Sequence, residues 1–308
     1  MKIIFMGTPD FAVPALAALH ASRHTVQAVV TSPDKRRGRG QIICDTPIKC
    51  KAIELGLPIL QPESLKDPAF LEAVKNYDPD ILVVVAFRIL PPEVFTLPRF
   101  GAVNAHASLL PKYRGAAPVN WAIYHGESVT GVTIFRIARK VDTGQICMQR
   151  EIPIRPDDTA GTLQDKLKYL AAEMLPETLD MLENGTLKAL PQNDALATPA
   201  PKLTPESGRL DFSRGGEELC RAVRAFTPCP GAFFRLKGRC IKVSKADWEK
   251  ADHTVPGTIV LLSKKHFAIH CRDGYFLPQE LQSPGRRNMH VSDWMNGADL
   301  TESQSIES

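Results

Sequence analysis

Lys2 is followed by four apolar residues, and the run stops at Gly7-Thr8-Pro9-Asp10, after which Phe11, Val13, Leu16, Ala17 and Leu19 recur at helical spacing. A strand, a turn and a helix are expected in that order. The pattern repeats with a strand over 26–31, a helix over 48–55, a short strand near Ile59, a helix over 68–76 and a strongly apolar strand over 81–85. Further on come a strand over 102–106, a helix over 118–125, strands over 132–137 and 146–152, and a long helix over 162–182. That helix carries Leu163, Leu167, Leu170, Met174 and Leu175 along one face and stops at Asn184-Gly185. Strands alternating with helices imply parallel neighbours, because a parallel pair needs a crossover of roughly a dozen residues or more. The expected fold class is α/β: a doubly wound, mostly parallel, Rossmann-like sheet whose ligands sit at the carboxyl ends of its strands.

Periodicity is lost over 191–205, "PQNDALATPAPKLTP", a Pro- and Ala-rich stretch expected to link two domains. Beyond it a helix over 217–225 precedes short alternating segments at 233–236, 241–246, 258–262 and 267–270, divided by turns that carry Gly or Lys pairs. This spacing suits a smaller C-terminal β-barrel, OB-like, over 206–308, beside a catalytic domain over 1–190. The last residues, "GADLTESQSIES", are polar and expected to fray.

With 308 residues, 44% hydrophobic and 23% charged, the chain is long enough for two buried cores. Its longest apolar runs, 81–87 and 259–262, fall short of the roughly 18 residues that cross a bilayer, and they are expected to be buried strands. The amino terminus shows neither the long apolar region nor the cleavage site of a secretion signal, which places the protein in the cytoplasm. Seven cysteines are scattered without a C-x-x-C pair, which suggests free thiols and no structural metal. A net charge of +4 permits a nucleic-acid partner without requiring one, so the placement of charge matters more than its sum.

Candidate chemistry concentrates in "NAHASLLPKYRG", residues 104–115. Alternation puts Ala102, Asn104, His106 and Ser108 on one face at the carboxyl end of the expected strand. Asn donates an amide N–H and His donates or accepts, so the pair can stabilise an oxyanion and move a proton. Asp142, in "KVDTGQI", lies in a turn between two expected strands. A carboxylate beside an imidazole favours its charged form and fixes its orientation. Ser108 lacks the Gly-x-Ser-x-Gly elbow of a nucleophile, so Asn104, His106 and Asp142 suggest direct transfer between two bound substrates with no covalent enzyme intermediate. These residue types alone leave a structural role open for both His106 and Asp142. "GTPDF" has one glycine where a dinucleotide loop needs three, and is expected to be a strand-to-helix turn in which Asp10 starts the helix.

"PDKRRGRGQ" places Lys35, Arg36, Arg37 and Arg39 beside one acidic residue, Asp34, with two glycines expected to keep the segment mobile. Composition leaves it either a solvated loop or an arm that closes on nucleic-acid phosphates. Arg114, beside the candidate strand, either holds substrate or shapes its turn. Basic clusters at Arg221/Arg224, Arg235/Lys237/Arg239/Lys242 and Lys264/Lys265 make the second domain either an RNA platform or a structural module.

"NAHASLLPKYRGAAP" with "VDTG" downstream resembles the folate-dependent formyltransferases. The likeness extends over nearly the whole chain through "GTPDFA", "SPDKRRGRG", "TPIK", "VVVAFRILPPEVF" and "RLDFSRGGEEL". It implies an enzyme that transfers a formyl group from 10-formyltetrahydrofolate, a co-substrate used without a metal, to the α-amino group of methionyl initiator tRNA. Neither a membrane nor an obligate protein partner is implied. By the same resemblance Asn104, His106 and Asp142 are catalytic, Ser108, Leu109, Leu110 and Pro111 contact tetrahydrofolate, and Phe87, Arg88, Ile89 and Leu90 line the pterin pocket. Lys35, Arg36, Arg37 and Arg39, with Arg114, are the implied tRNA contacts. Two departures stand out: "AFRILPP" is one residue shorter than the commoner A-Y/F-G-x-I-L-P, and Arg139-Lys140 replaces a more usual Gly-Leu pair. The competing functions are a formyltransferase for a small amine and a folate- or RNA-binding protein without catalysis. The basic loop and the second domain argue against the first, and the intact Asn104, His106 and Asp142 against the second.

Overall fold

The computed structural model describes residues 1–37, 42–252, 255–298, 300–301 and 304–307, and for 35–37, 42 and 43 the backbone alone. The chain divides into two compact units, one formed by Met1–Pro118, Val129–Pro153 and Gln164–Ala200, the other by Val119–Ser128, Ile154–Leu163 and Pro201–Ser308.

The first unit carries β1 (Lys2–Gly7), β2 (Thr25–Val30), β3 (Lys35–Arg37), β4 (Ile42–Cys44), β5 (Ile59–Leu60), β6 (Ile81–Val85), β7 (Ala102–His106), β8 (Arg114–Gly115), β9 (Val129–Arg136), β10 (Ile146–Pro153) and β11 (Pro199–Ala200). Seven of these form one sheet in the order β10-β9-β7-β6-β1-β2-β5. From β5 to β7 every pair is parallel, whereas β9 runs antiparallel to both β7 and β10. The doubly wound, mostly parallel sheet expected from the pattern is therefore present. All five residues of β6 are buried, which is why the strand reads as an unbroken apolar run rather than an alternating one.

Helices α1 (Val13–His20), α2 (Pro47–Glu54), α3 (Pro68–Asn76) and α4 (Pro92–Phe95) join these strands. Local chemistry starts α2 and α3. The Thr46 hydroxyl accepts from the Lys49 amide and the Asp67 carboxylate from the Ala69 amide, each with proline at the first helical position, whose missing N–H costs nothing there. Ile4, Met6, Val30, Phe70, Val74 and Leu82 belong to the core between sheet and helices. After α5 (Pro118–Tyr124), the long α6 (Ala160–Glu183) buries the predicted stripe, with Leu163, Leu167, Met174 and Leu175 fully enclosed. It ends where Gly185, at φ +70°, lets the Thr186 amide reach back to the Met181 carbonyl.

Two expectations change in this unit. Lys35–Arg37, expected in a mobile loop, is a strand that pairs antiparallel with β4, Arg36 opposite Ile43. Within 191–205, expected to be a featureless linker, residues 194–196 form a 3-10 turn and β11 pairs in parallel with β8.

The second unit holds α7 (Gly216–Phe226), β12 (Ala232–Leu236), β13 (Arg239–Lys250), β14 (Ile259–Ser263), β15 (His266–Cys271), β16 (Gly274–Gln282), β17 (Met289–His290) and α8 (Val291–Met295). An antiparallel sheet runs β12-β13-β16-β15-β14, with β17 added to β16. β16 adds a strand that the expected segments do not include; Pro278 sits in its middle, opposite Ala246 and beside a register shift in β13, where a missing N–H is tolerated. β14 corrects another expectation. It is an edge strand with Ile259 buried and Leu262 51% exposed. Nor is the tail frayed at 304–307: the Ile259 amide donates to the Gln304 carbonyl, Ile306 to Gly257 and Glu307 to Arg235. Those residues bridge the two sheet edges, β14 and β12, and close the antiparallel sheet on itself.

Candidate active site

β7 runs between β6 and β9, with Asn104 opposite Val84 on one side and Phe135 on the other, and His106 opposite Thr133. His106 is 7% exposed. Its Nε2 lies 2.9 Å from the Tyr113 carbonyl, and a carbonyl only accepts, so Nε2 carries the hydrogen. That leaves Nδ1 facing the Asp142 carboxylate, whose Oδ2 is 4.0 Å away. Asp142 holds φ at +54°, and its Oδ2 accepts from the Gly115 amide at 2.9 Å. Asn104 is half-buried, and among the described residues no hydrogen bond engages its amide. The structure thus brings the His106 and Asp142 side chains together and keeps a donor amide two residues earlier on the same strand.

Backbone approach fixes the Asp142 turn. A Cβ on Gly144 would lie 1.6 Å from the Arg136 carbonyl oxygen, and one on Gly115 2.4 Å from that of Ala200. The turn after β7 is equally constrained. The Ser108 hydroxyl is buried and donates to the Lys112 carbonyl at 2.7 Å. Thr133 Oγ1 donates to the Ser108 carbonyl at 2.6 Å and accepts from the Leu110 amide at 3.0 Å, while Gln149 Nε2 donates to the Leu110 carbonyl at 2.8 Å. Leu110 is buried, and Leu109 and Pro111 are partly exposed.

At the carboxyl end of β6 the segment 87–90 divides. Leu90 packs in the core, with Phe87 partly buried against it. Arg88 donates to the Pro62 and Glu63 carbonyls at 2.8 and 3.0 Å, and Ile89 is 75% exposed. Of the four, Phe87 and Ile89 keep apolar surface to offer.

Among the basic residues, Lys35, Arg36 and Arg37 lie in β3, and Arg39 is outside the described residues. Asp34, at the base of this hairpin, accepts from Lys49 Nζ and from Gln61 Nε2, and the Lys49 ammonium holds its carboxyl below the ordinary carboxylate range. Arg114 is turned inward: Nε and Nη2 donate to Gln192 Oε1 at 3.1 and 2.7 Å, and Nη2 also meets Asp194 Oδ1 at 2.6 Å. In the second unit Arg221 pairs with Glu217 and Arg224 donates to the Asp158 carbonyl, whereas Lys237, Arg239, Lys242, Lys264 and Lys265 are exposed. One group of potential metal ligands occurs among the described residues, His24 with Asp180 and Glu183, and its carboxylates are already paired with Arg23 and the Met1 ammonium.

Thr133, Gln149 and Gln192 escaped the sequence reading. Each acts through hydrogen bonds to distant backbone, which leave no periodic or motif signal; Gln192 stands in the stretch where periodicity is lost.

At the carboxyl end of this doubly wound sheet an imidazole, a carboxylate and a half-buried amide come together, with the neighbouring serine hydroxyl committed to the backbone, groups able to support transfer between two bound molecules. Residues 1–179 match the family model Formyl transferase, and residues 202–299 match the model Formyl transferase, C-terminal domain. The chain belongs to the formyl transferase family. It is 42% identical over 304 residues to the methionyl-tRNA formyltransferase of Caldanaerobacter subterraneus subsp. tengcongensis, covering 98% of each chain. It is 42% identical over 300 residues to that of Myxococcus xanthus, covering 97% of this chain and 96% of the relative. Among solved structures it is similar to WlaRD, a sugar 3N-formyl transferase, with TM-score 0.65 and 20% identity over 93% of this chain and 99% of that one. It also resembles HypX from Aquifex aeolicus, solved in complex with tetrahydrofolic acid, with TM-score 0.62 and 20% identity, covering 96% of this chain and 47% of HypX, about half its length. These two likenesses establish the fold.

Proposed function

We propose that the protein transfers the formyl group of 10-formyltetrahydrofolate to the α-amino group of methionine carried by initiator tRNA. The observation that carries this reading is the 42% identity to methionyl-tRNA formyltransferases over 98% of both chains, which takes in the second unit as well as the first. The second unit alone does not decide the acceptor, since WlaRD, a sugar 3N-formyl transferase, matches 93% of this chain at 20% identity; the far higher identity to the methionyl-tRNA enzymes does. No helix among the described residues is long and apolar enough to cross a membrane, which suits work in the cytoplasm on tRNA.

The residues fit such chemistry. An α-amino group has a reference pKa of about 8, so a fair share is already nucleophilic at neutral pH and strong base activation is not the main requirement. As the amine nitrogen bonds to the formyl carbon, charge gathers on the formyl oxygen. Asn104, whose amide no described residue engages, donates to that oxygen, and His106 donates from Nδ1, since Nε2 is committed to the Tyr113 carbonyl. At 4.0 Å Asp142 is beyond hydrogen-bond length from Nδ1. The Nδ1 proton therefore remains available to substrate, and Asp142 supports the charged imidazole through space. The bond from the formyl carbon to the folate nitrogen then breaks, and Asp142, through water, takes the proton released by the amine and passes a proton on to the departing folate nitrogen, so that tetrahydrofolate leaves neutral. Ser108 and Leu110 hold the turn on which tetrahydrofolate rests, while Phe87 and Ile89 offer apolar contact to its pterin. To Lys35, Arg36, Arg37 and Arg39, and to the exposed lysines and arginine of the second unit, we assign the binding of tRNA phosphates.

The test incubates the protein with 10-formyltetrahydrofolate and either methionyl initiator tRNA or free methionine. Formylation of the charged tRNA alone is expected, with Asn104→Ala lowering turnover by about 10² to 10³. Formylation of free methionine at a comparable rate, or of neither acceptor, would overturn the assignment.

A further inference from the structure

We infer that Gln192, held by Arg114, is a positioning residue for Asp142, and that Arg114 serves this role rather than contacting tRNA. The inference rests on the proposed reaction at the Asn104, His106 and Asp142 site, and adds to it what keeps the carboxylate in place.

Asp142 sits at φ +54°, a backbone conformation that a residue with a Cβ keeps only where its surroundings over-determine it. Two sets of contacts do so. The side chain is tied by the Gly115 amide to Oδ2. The backbone is tied by one side-chain amide: Gln192 Nε2 donates to the Asp142 carbonyl at 2.9 Å and to the Gly144 carbonyl at 2.8 Å, clasping the turn on both sides of Thr143. The same Gln192 is oriented from behind, its Oε1 accepting two hydrogens from the Arg114 guanidinium, which is braced in turn by Asp194. Every donor and acceptor of the Gln192 amide is thereby assigned, which also fixes which end of it is nitrogen. Arg114 and Gly115 form β8, paired with β11, so the segment around 190–200 supports the Asp142 turn through both the side chain and the backbone.

Arg114 has 16% side-chain exposure and spends its fork on Gln192 and Asp194. A phosphate contact through Nε or Nη2 would require breaking that arrangement. Removing Arg114 should therefore act on the chemical step and leave tRNA affinity in place.

Four variants test this. Gln192→Ala removes the clasp. Gln192→Glu keeps the acceptor for Arg114 but turns a carboxylate toward two carbonyls, so it should be no better than Gln192→Ala. Both are expected to lower kcat by about 10- to 100-fold while KM for tRNA and for the formyl donor stays within about threefold. Arg114→Met should show the same split, with the salt dependence of tRNA KM unchanged. Added to Asp142→Asn, Gln192→Ala should cost less than about twofold more, because the group it positions is already disabled. Hydrogen exchange supplies a readout independent of activity: in Gln192→Ala the amides of 141–145 should exchange about tenfold faster with the thermal midpoint nearly unchanged.

Wild-type kcat in Gln192→Glu would overturn the inference, as would full additivity with Asp142→Asn. So would an Arg114→Met variant whose tRNA KM rises and whose salt slope falls at constant kcat. If the wild-type protein formylates no charged tRNA, the proposed function fails, and the exchange measurement still decides whether Gln192 holds the turn.

Discussion

Asp142→Asn separates the charge of the carboxylate from its shape. Asparagine keeps an oxygen to accept the Gly115 amide, so the turn and its φ persist while the negative charge disappears. The distance of 4.0 Å from Nδ1, with side-chain exposures of 7% and 11%, sets the scale. For an effective dielectric of roughly 20, a pair of unit charges at that separation is worth about 4 kcal/mol. If the imidazole carries full charge when the formyl oxygen does, that support is lost from the transition state, and kcat falls by about 10³. A partial charge gives proportionately less, so a fall of about 10² to 10³ is expected, with KM for both substrates within about threefold. Rapid-quench formylation under single turnover, with methionyl initiator tRNA and saturating 10-formyltetrahydrofolate, measures the step directly. Thermal unfolding checks that the variant is folded. A folded Asp142→Asn protein within about fivefold of wild type would refute the electrostatic argument, since fivefold is about 1 kcal/mol, what a pair of charges at this distance is worth when fully screened by water.

Three further perturbations follow from the same geometry. Gly144→Ala places a Cβ 1.6 Å from the Arg136 carbonyl oxygen, so the Asp142 turn must move by about 1 Å or more, and kcat is expected to fall by about 10² or more; near-normal turnover would show the turn is not pinned against β9. His24 is enclosed, and burial, then the Met1 ammonium, hold its pKa below the ordinary 6.5, with Asp180 and Glu183 pulling the other way. The unfolded chain therefore binds the extra proton first, and stability falls as pH drops from about 6.5 to the folded-state pKa, levelling off below it. Urea midpoints measured from pH 8 to 5 should show this slope in wild type and a shallower one in His24→Gln; equal slopes would remove His24 as the cause. Truncation after residue 303 deletes three backbone hydrogen bonds that bridge β12 and β14, at about 1 kcal/mol each, and should cost about 2–4 kcal/mol; an unchanged thermal midpoint would mean the edges need no bridge.

What the sequence made legible depends on whether the signal is local. Asn104 and His106 are readable because strand alternation is a property of neighbours, and β7 forms over the expected residues, 102–106. The α6 stripe and its glycine stop are readable for the same reason. Asp142 becomes a candidate only through the motif around it, since nothing in "KVDTGQI" says that the turn folds back onto the imidazole; that requires the β9–β10 hairpin and the close approach of Gly144 to Arg136. Gln192 is not readable at all. Its contacts reach back 50 and 48 residues, and a side chain that hydrogen-bonds distant backbone imposes no spacing on its neighbours. Arg114 cannot be placed by type, because an exposed arginine and one hydrogen-bonded to Gln192 look the same in sequence. The polar tail reads as frayed because its partners at 304–307 are backbone groups of sheet edges, which no composition reveals. The residues assigned to the chemistry are therefore more legible than those inferred to hold them. Asn104, His106 and Asp142 stand in short motifs, whereas the Gln192 amide is placed only by the fold around it. A mutational survey confined to motif residues would recover Asn104, His106 and Asp142 and pass over the clasp, although an error of about 1 Å in the carboxylate costs as much in turnover as losing a donor outright.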